Sequence, residues 1–512
     1  MAHARLRLLA TPRTMPLRPW KFTDIIASLL RAAGPNVAAL AASDGVARAS
    51  ADTCSGKLAA YRRLPRPVKL SVAGGPATLR SPCGGGAAII HILPSPAWQE
   101  HSLTGRLQGP CTAEISMEID RIQEALREEG IDGWLLYDFH GLNPVATSLI
   151  GFPADKFMTR RWYYFIPTEG TPMGLFHAIE WSHFQHLPGE RITYRSWKEI
   201  EGGLTRILGG ASRIAMEYSP ECAIPYVSRV DAGTIELVRR LGPEVVTSAD
   251  LVSAFEARWT PERLESHLEA ADHLHRIKDE AFEEVGRRLC GDGQTDEYTI
   301  QQFMWKRFHE AGMTSDSPPI VSVNAHSADP HFIATEKDHA QIRPGDFLLL
   351  DMWARMDRPG TVYGDITWTG YAGETIPEEH QKIFDIVRGS RDAAIAFVRS
   401  RHAAGDLPRG CEVDDVARNH IRDHGYEEQF LHRTGHSINY EVHGNGAHID
   451  NLETKDERRI LTRTCFSIEP GIYLEGRFGV RSECDVYVDE ESVRVTGPLQ
   501  DSVIRIPVGA AG

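Results

Sequence analysis

Two apolar runs in the second half of the chain each end on a carboxylate, and in both cases a second carboxylate follows fourteen residues later. The first pair is Asp351 and Asp365, and the second is Glu469 and Glu483. A turn-forming segment lies midway in each, so the spacing predicts two hairpins on which the paired acids face each other. A single acid near a turn is usually exposed, but two of these acids end apolar runs, and four acids are costly to bury together unless cations neutralise them. The pattern therefore predicts a cation site shared by two hairpins.

The region that carries these acids is organised as a repeat. A helical pattern over 297–311 precedes strand-like runs up to 370, and helical patterns over 378–401 and 413–424 precede strand-like runs up to 495. Helices followed by strands, written twice, predict two α+β halves that face each other. A long apolar stripe of helical period over 261–289 leads into this region and predicts a helix that joins it to the preceding domain.

The preceding segment, residues 117–261, alternates apolar runs with helical patterns. This alternation predicts an α/β domain of ordinary size. The strand-like runs are at 134–137, 162–166, 173–176 and 213–216.

Residues 1–116 differ in composition from the rest of the chain. They carry 14 basic against 5 acidic residues, whereas the remainder carries 42 against 65. Three interpretations compete: an organellar transit peptide, a disordered tail, or an extension that is not part of the working protein. We favour the third, because Met117 directly precedes the predicted start of a well-patterned helix at Glu118. We therefore expect a basic, low-order leader or non-native extension over 1–116, with domains over 117–261 and 262–512.

Composition narrows the function classes. The net charge of −14 argues against a nucleic-acid partner. The sequence contains no run of 18 apolar residues, the length that a membrane-spanning helix requires. The eight cysteines are scattered without a CxxC pair, as in proteins of a reducing compartment. We expect a cytoplasmic protein, with organellar targeting by the basic leader as the alternative.

A metal site built from the four acids also needs neutral ligands, and nearby histidines can supply them. His432, His436 and His443 lie within twelve residues, and a glycine-containing loop that includes Gly444 and Gly446 follows. Glycines allow the backbone to approach a ligand closely. The segment is therefore the best candidate for completing a metal site together with the acids.

These residues, in this order, resemble the pita-bread metallopeptidases, the family of methionine aminopeptidase, aminopeptidase P, prolidase and the metal-free creatinase. The resemblance extends from about residue 262 to 508, and the domain before it resembles the creatinase-type N-terminal domain of the prolidase and aminopeptidase P branch. It implies an α/β creatinase-like domain followed by an α+β pita-bread catalytic domain with an internal pseudo-twofold repeat. The matching segments are 323–325, 330–332, 350–351, 364–367, 435–436, 442–443, 468–473 and 479–483.

The resemblance also implies a site with two divalent ions. Asp351 corresponds to a ligand of the first ion, His436 and Glu469 to ligands of the second, and Asp365 and Glu483 to bridging ligands. Mn²⁺ is our expectation, and Co²⁺, Fe²⁺ and Zn²⁺ remain alternatives because the same oxygen-rich donor set suits them. All five ligands are present, which distinguishes this chain from creatinase.

Further roles follow from the same resemblance. Glu469 corresponds to the residue that passes a proton from the metal-bridging hydroxide to the leaving nitrogen, and His331 and His443 to residues that hold the carbonyl oxygen and the tetrahedral intermediate. His432 is expected to line the substrate site. Arg481 is expected either to anchor a substrate carboxylate or to brace the acids.

The resemblance implies a peptidase that cleaves the Xaa-Pro bond of dipeptides or longer peptides, assembled as a homodimer. Four positions depart from the family pattern: Trp353, Ala354, Asn439 and Gly444. These departures keep open a second hypothesis, a metal-dependent hydrolase or lyase of a small non-peptide metabolite. A non-catalytic binding module is a third hypothesis, which the presence of all five ligands disfavours.

Overall fold

The computed structural model describes residues 112–152 and 156–508, with side chains from Ile119 onward. The described residues belong to one compact unit, Gln99–Gly512. The expected leader therefore lies almost entirely outside the described residues. The first helix, α1 (Thr112–Glu129), begins before Met117, so the expectation that this helix starts at Glu118 is wrong.

A six-stranded mixed sheet forms the N-terminal half. Its strands are β1 (Gly133–Asp138), β2 (Trp162–Pro167), β3 (Met173–His177), β4 (Glu190–Tyr194), β5 (Arg213–Met216) and β6 (Glu244–Thr247). Their order is β4-β3-β2-β1-β5-β6, with β1 antiparallel to β2 and parallel to β5. The helices are α1, α2 (Pro144–Leu149), α3 (Trp197–Leu208), α4 (Ala232–Arg240) and α5 (Ala249–Glu256), and short 3-10 helices lie at Trp181–Phe184, Pro220–Cys222 and Pro225–Val227.

Both faces of this sheet are buried. Successive side chains of a strand point to opposite faces, so Trp134 and Leu136 join one apolar cluster while Leu135 and Tyr137 join another. Burial on both faces explains why residues 134–137 of β1 form a continuous apolar run in the sequence rather than an alternating one.

Helix α6 (Pro261–Gly291) leads into the second half. Thr260 accepts a hydrogen bond from the backbone N–H of Arg263, and Pro261 occupies the first turn, where its missing N–H costs nothing. The predicted apolar stripe is buried from Leu274 onward, but Leu268 is exposed. The boundary at 261/262 falls at the start of this helix and stays a prediction.

The second half begins with a short strand β7 (Thr295–Asp296) and then helix α7 (Glu297–Glu310). The strands of its sheet are β8 (Met313–Thr314), β9 (Ile320–Val323), β11 (Phe347–Met356), β12 (Gly364–Ala372) and β19 (Ile504–Ile506). They have the order β19-β12-β11-β8, and β9 pairs with β11. A separate strand, β10 (Gln341–Ile342), pairs with β7, and a 3-10 helix spans Asn324–Ala328.

Two further helices, α8 (Glu378–Ala403) and α9 (Gly410–Asp423), precede the remaining strands. These strands are β13 (Ser437–Ile438), β14 (Thr464–Ile468), β15 (Gly471–Leu474), β16 (Phe478–Arg481), β17 (Cys484–Val488) and β18 (Val493–Val495), and a 3-10 helix spans Glu427–Gln429. The second sheet of this half has the order β13-β14-β17-β18, and β15 pairs with β16 in a separate ribbon. Helices followed by strands thus occur twice, as the sequence predicts.

Among the described residues, no helix combines the length and the apolar character that crossing a bilayer requires.

Candidate metal centre

Asp351 and Asp365 lie on the antiparallel pair β11 and β12. Strand β11 continues five residues past Asp351, so the expectation that the strand ends on this carboxylate is wrong. Asp351 pairs with Thr367, and Asp365 pairs with Trp353. The two acids are therefore offset by two residues on one face of the sheet, where side chains are diagonal neighbours.

Glu469 and Glu483 lie where the second hairpin changes direction. Strand pair β14 and β17 ends at Ile468 and Cys484, and the ribbon of β15 and β16 begins at Gly471 and Arg481. Both glutamates lie in the break between these pairs. The Glu469 N–H donates to the carbonyl oxygen of Thr434 (2.7 Å), and the Glu483 N–H donates to that of Thr367 (3.2 Å). Backbone bonds to neighbouring segments therefore hold both acids in place.

His436 lies directly before β13, beside the acids. Its N–H donates to Oγ of Ser467 (2.9 Å), and the Ser467 N–H donates to the His436 carbonyl oxygen (2.9 Å). Its Nε2 is 3.6 Å from Oδ2 of Asp365 and 3.4 Å from Oε1 of Glu469. The histidine thus faces the first hairpin and the second at once.

A metal-type cluster forms at this point. Asp365, His436 and Glu483 are buried, and one potential ligand atom from each lies within 4.8 Å of the others. Oδ1 of Asp365 is buried and has no hydrogen-bond partner. Buried carboxylate oxygens are normally satisfied, so an unpartnered one beside an imidazole and a second carboxylate fits a divalent cation.

Thr367 and Arg481 connect Asp351 to the cluster. Oγ1 of Thr367 lies 3.0 Å from Oδ1 of Asp351 and 2.6 Å from Oε2 of Glu483. The three donor nitrogens of Arg481 bond to Thr367 (3.0 Å), to the Tyr473 hydroxyl (3.1 Å) and to Asp351. Arg481 therefore bonds both to Asp351 and to the threonine that contacts Glu483, and its role in the site stays a prediction.

The pKa values of the cluster reflect its burial. Burial, reinforced by the charge of Glu483, raises the pKa of Asp365, and burial raises that of Glu483 with help from Glu469. Burial also raises the pKa of Glu469 to about 7. Burial lowers the pKa of His436 well below its usual range, which keeps the imidazole neutral. Neutral imidazole is the form that binds metal, and cations would replace the protons held by the acids.

All nine predicted site residues line one cavity of about 650 Å³. His331 and His443 are exposed within it, and the His443 ring lies 4.4 Å from that of His436. Nε2 of His432 lies 2.7 Å from the Tyr473 hydroxyl, and burial, with the charge of Arg481, lowers the pKa of His432 to about 3. The structure thus gathers residues from 331 to 483 around the cluster.

Sequence reasoning missed three residues of this region. Arg433 and Tyr226 line the cavity, and Oδ2 of Asp485 accepts the N–H of Asp365 (2.8 Å). The position of Asp485, two residues after Glu483, was an available signal. Tyr226 comes from the N-terminal half, far away in sequence, and nothing in the local pattern indicates its role.

Another cavity, of about 700 Å³, lies in the N-terminal half and contains none of the predicted site residues. Its two acids already have partners: Asp138 accepts the N–H groups of Gly141 and Asn143, and Asp231 caps α4. The metal-type cluster of the described residues therefore lies only in the smaller cavity.

Comparison with known sequences points to the part of the chain that contains the metal-type cluster. The profile of metallopeptidase family M24 matches residues 269–490. The chain is 29% identical over 246 residues to an Xaa-Pro dipeptidase of Lactobacillus delbrueckii subsp. lactis, covering 47% of this chain and 61% of that protein. It is 30% identical over 176 residues to an Xaa-Pro dipeptidase of Pyrococcus furiosus, covering 34% and 45%. The chain spans 56% to 61% of the length of the first three curated relatives that it matches.

Comparison with solved structures extends over more of the chain. The dipeptidase PepE of Mycobacterium ulcerans superimposes with a TM-score of 0.59 at 22% identity, covering 79% of this chain and all of that one. A dipeptidase from Pyrococcus horikoshii superimposes with a TM-score of 0.51 at 26% identity, covering 76% and 99%. The predicted mixed α/β architecture with a pita-bread half is confirmed by this shared fold. Residues 269–490, the segment that the model of metallopeptidase family M24 matches, contain all nine predicted site residues.

Proposed function

We propose that the chain is a metal-dependent peptidase that hydrolyses the bond between an N-terminal residue and proline. The observation that carries this proposal is the convergence of Asp365, His436 and Glu483 within 4.8 Å in a buried cluster that opens into a cavity. Relatives named Xaa-Pro dipeptidase support the choice of bond.

Two divalent ions, with Mn²⁺ as the preferred metal, fit the donor set of this site. Asp351, Asp365, His436, Glu469 and Glu483 would hold them, since all five side chains line the cavity and offer carboxylate or neutral imidazole atoms. Bound divalent ions supply a hydroxide nucleophile near neutral pH and polarise the scissile carbonyl.

The remaining chemistry belongs to the side chains. Glu469 lines the cavity next to His436 and would move the proton to the departing proline nitrogen. His331 and His443, both exposed in the cavity, would donate to the carbonyl oxygen as negative charge develops on it. His432 would line the substrate site without charge, because its low pKa keeps the ring neutral.

We also propose a domain organisation, an assembly and a location for the chain. We assign a creatinase-like domain to 117–261, a catalytic domain to 262–512 and a leader or extension to 1–116. We also propose a homodimer that acts in the cytoplasm on small peptides, without nucleic-acid or membrane partners. The acidic net charge supports the absence of a nucleic-acid partner. A monomer mass in sedimentation would contradict the dimer.

The test combines metal content with turnover. Elemental analysis of the purified protein should find about two ions per chain, and both should be lost in Asp365→Ala. With Mn²⁺ added, the protein should cleave an Xaa-Pro dipeptide or an Xaa-Pro-Yaa tripeptide. Binding of metal without cleavage of either peptide would favour the hydrolase or lyase of a non-peptide metabolite. Failure to bind metal would overturn the ligand assignment and the mechanism.

A further inference from the structure

The cavity of about 700 Å³ in the N-terminal half, which we call the N-terminal cavity, lies at one edge of the six-stranded sheet. The carboxyl ends of three parallel strands contribute lining residues, namely Asp138 of β1, His177 of β3 and Tyr194 of β4. Strand β2 runs antiparallel to β1, so Arg160 and Arg161, which directly precede β2, lie at the same edge. The strand order reverses between β1 and β5, and in open α/β sheets ligands bind outside the carboxyl ends of strands beside such a reversal.

Four arginines line the N-terminal cavity: Arg160, Arg161, Arg195 and Arg229. Within the ranges 112–152 and 156–508, none of them has a carboxylate within 4.0 Å. Arg160 donates to Thr159 and Arg229 to the carbonyl oxygen of Tyr226. The side chains of Arg161 and Arg195 have no hydrogen bond to any described residue. Guanidinium groups of like charge around one cavity repel one another, so an anion that binds between them is stabilised.

The two acids of the N-terminal cavity leave this positive charge in excess. Asp138 is buried, and its carboxylate accepts the N–H groups of Gly141 and Asn143. Asp231 is exposed and accepts three hydrogen bonds, two from Thr234 and one from the Tyr137 hydroxyl. A carboxylate has about four acceptor sites, so Asp231 keeps one for a hydroxyl group of a ligand.

Exposed apolar side chains also line the N-terminal cavity. Trp197, the first residue of α3, is 74% exposed, and Phe139 and Leu142 in the loop after β1 are 38% and 66% exposed. Large apolar side chains that are grouped at the surface mark binding sites. The faces of Trp197 and Phe139 suit a planar ring, because aromatic side chains stack on the bases of nucleic acids and of their building blocks.

Unpaired guanidinium groups, a hydroxyl acceptor and aromatic faces match the three parts of a nucleotide. We propose that the N-terminal cavity binds a nucleotide, with its phosphates among the arginines, a ribose hydroxyl at Asp231 and its base stacked on Trp197. The volume lies within the range of small-molecule sites, about 300 to 1,000 Å³. The N-terminal cavity shares no lining residue with the cavity of the metal-type cluster, so this inference is independent of the proposed function.

Calorimetry on the full chain in EDTA tests binding, because phosphates then find no metal in the other cavity. The probes are ADP, GDP, CDP and UDP, the four corresponding nucleosides, and pyrophosphate. At least one diphosphate should bind, and both its nucleoside and pyrophosphate should bind at least about tenfold more weakly. Binding of none of the four, or binding of pyrophosphate or the nucleoside as tight as that of the nucleotide, would overturn the proposal.

Two variants separate the phosphate and base contacts. Arg161→Met should weaken binding of the nucleotide and of pyrophosphate about 10- to 100-fold and leave the nucleoside unchanged. Trp197→Ala should weaken binding of the nucleotide and of the nucleoside about 5- to 100-fold and leave pyrophosphate unchanged. The same loss for all three ligands in either variant would indicate a structural effect and contradict the assignment of the contacts.

Arg206→Met is the matched control, because Arg206 is an exposed arginine of the same helix as Trp197 but does not line the N-terminal cavity. It should bind the nucleotide as the parent protein does. An equal loss in Arg206→Met and Arg161→Met would show a general effect of charge and refute the site.

Two further measurements locate the bound nucleotide. Asp365→Ala should bind it as the parent protein does, since Asp365 lines the other cavity. A loss in Asp365→Ala without a loss in Arg161→Met would place the nucleotide at the metal-type cluster. If Arg161→Met instead changes the mass in sedimentation and leaves nucleotide binding unchanged, the arginines face a second copy of the chain. Either result would overturn the proposal.

Discussion

The Oγ1 of Thr367 lies 2.6 Å from Oε2 of Glu483, so a strand of the first hairpin holds an acid of the second. A backbone hydrogen bond joins the same two residues, since the Glu483 N–H donates to the Thr367 carbonyl oxygen. Thr367 also lies 3.0 Å from Asp351. One threonine therefore orients two of the five proposed metal ligands.

We expect Thr367→Val to weaken metal binding about 10- to 100-fold, because residues that orient metal ligands typically contribute that much. The valine has nearly the same shape, so the fold should persist. Competition titration with a metal-binding dye measures the change, and Thr367→Ser, which keeps the hydroxyl, is the control. Unchanged affinity in Thr367→Val would show that the two acids are oriented without this hydroxyl.

The contribution of three buried acids to the stability of the metal-stripped protein should fall as pH rises. Glu469 has a folded pKa raised from its ordinary 4.5 to about 7 by burial, and the pKa values of Asp365 and Glu483 are raised as well. The folded state thus binds more protons than the unfolded state, so this stability is fully present below about pH 4.5 and is lost as pH rises through about 7. Buried histidines such as His432 and His436, whose pKa values are lowered, contribute in the opposite sense, so the acid is isolated with Glu469→Gln. In EDTA, the Tm of this variant relative to that of the parent protein should be higher at pH 8 than at pH 5.

Added Mn²⁺ should raise Tm more at pH 8 than at pH 5, because metal competes with the protons on these carboxylates. Asp365→Asn removes one of the raised carboxyl groups and should reduce both the pH dependence and the response to Mn²⁺. The same increase in Tm at both pH values would argue against metal binding by the buried acids.

Glu469→Gln should lower kcat about 10²- to 10⁴-fold, the usual contribution of a positioned proton-transfer group. An amide keeps the shape and one oxygen but cannot move the proton. Steady-state kinetics at saturating Mn²⁺ measures the effect, and elemental analysis at the same metal concentration shows how much of the loss comes from an empty site. A variant that holds the parent amount of metal and keeps the parent kcat would remove Glu469 from the mechanism.

Arg391→Met should destabilise the protein by about 3 kcal/mol through loss of buried polar bonds. Nη1 of Arg391 donates to Oγ of Ser482 (2.8 Å) and to the carbonyl oxygen of Gln500 (2.9 Å), which ties α8 to the segment that carries Glu483. Urea unfolding measures the change. The exposed Arg494→Met is the control, since an exposed ion pair contributes about 1 kcal/mol or less.

Periodicity and residue type were enough to locate the elements that carry the site. Strand β5 was predicted residue for residue, and α7 and α8 were predicted to within two residues at each end. Such segments form locally, because apolar residues at period 2 or 3.6 must face a core whatever their partners are. The acids and histidines likewise sufficed to predict a cation site, since ligand chemistry is a property of the side chain, whereas the individual ligands rest on the resemblance to the pita-bread metallopeptidases.

Register and long-range contacts were decided only by the tertiary structure. Strand β11 continues past Asp351 because Trp353 and Ala354 find partners on β12, which no local pattern specifies. The bonds of Arg481 to Asp351, Thr367 and Tyr473 likewise join residues that are up to 130 positions apart, and no local pattern indicates them. The sequence determined which groups can bind a metal or an anion. The packing of one half against another determined which of these groups remain free to do so, because a hydrogen bond used within the protein is no longer available to a ligand.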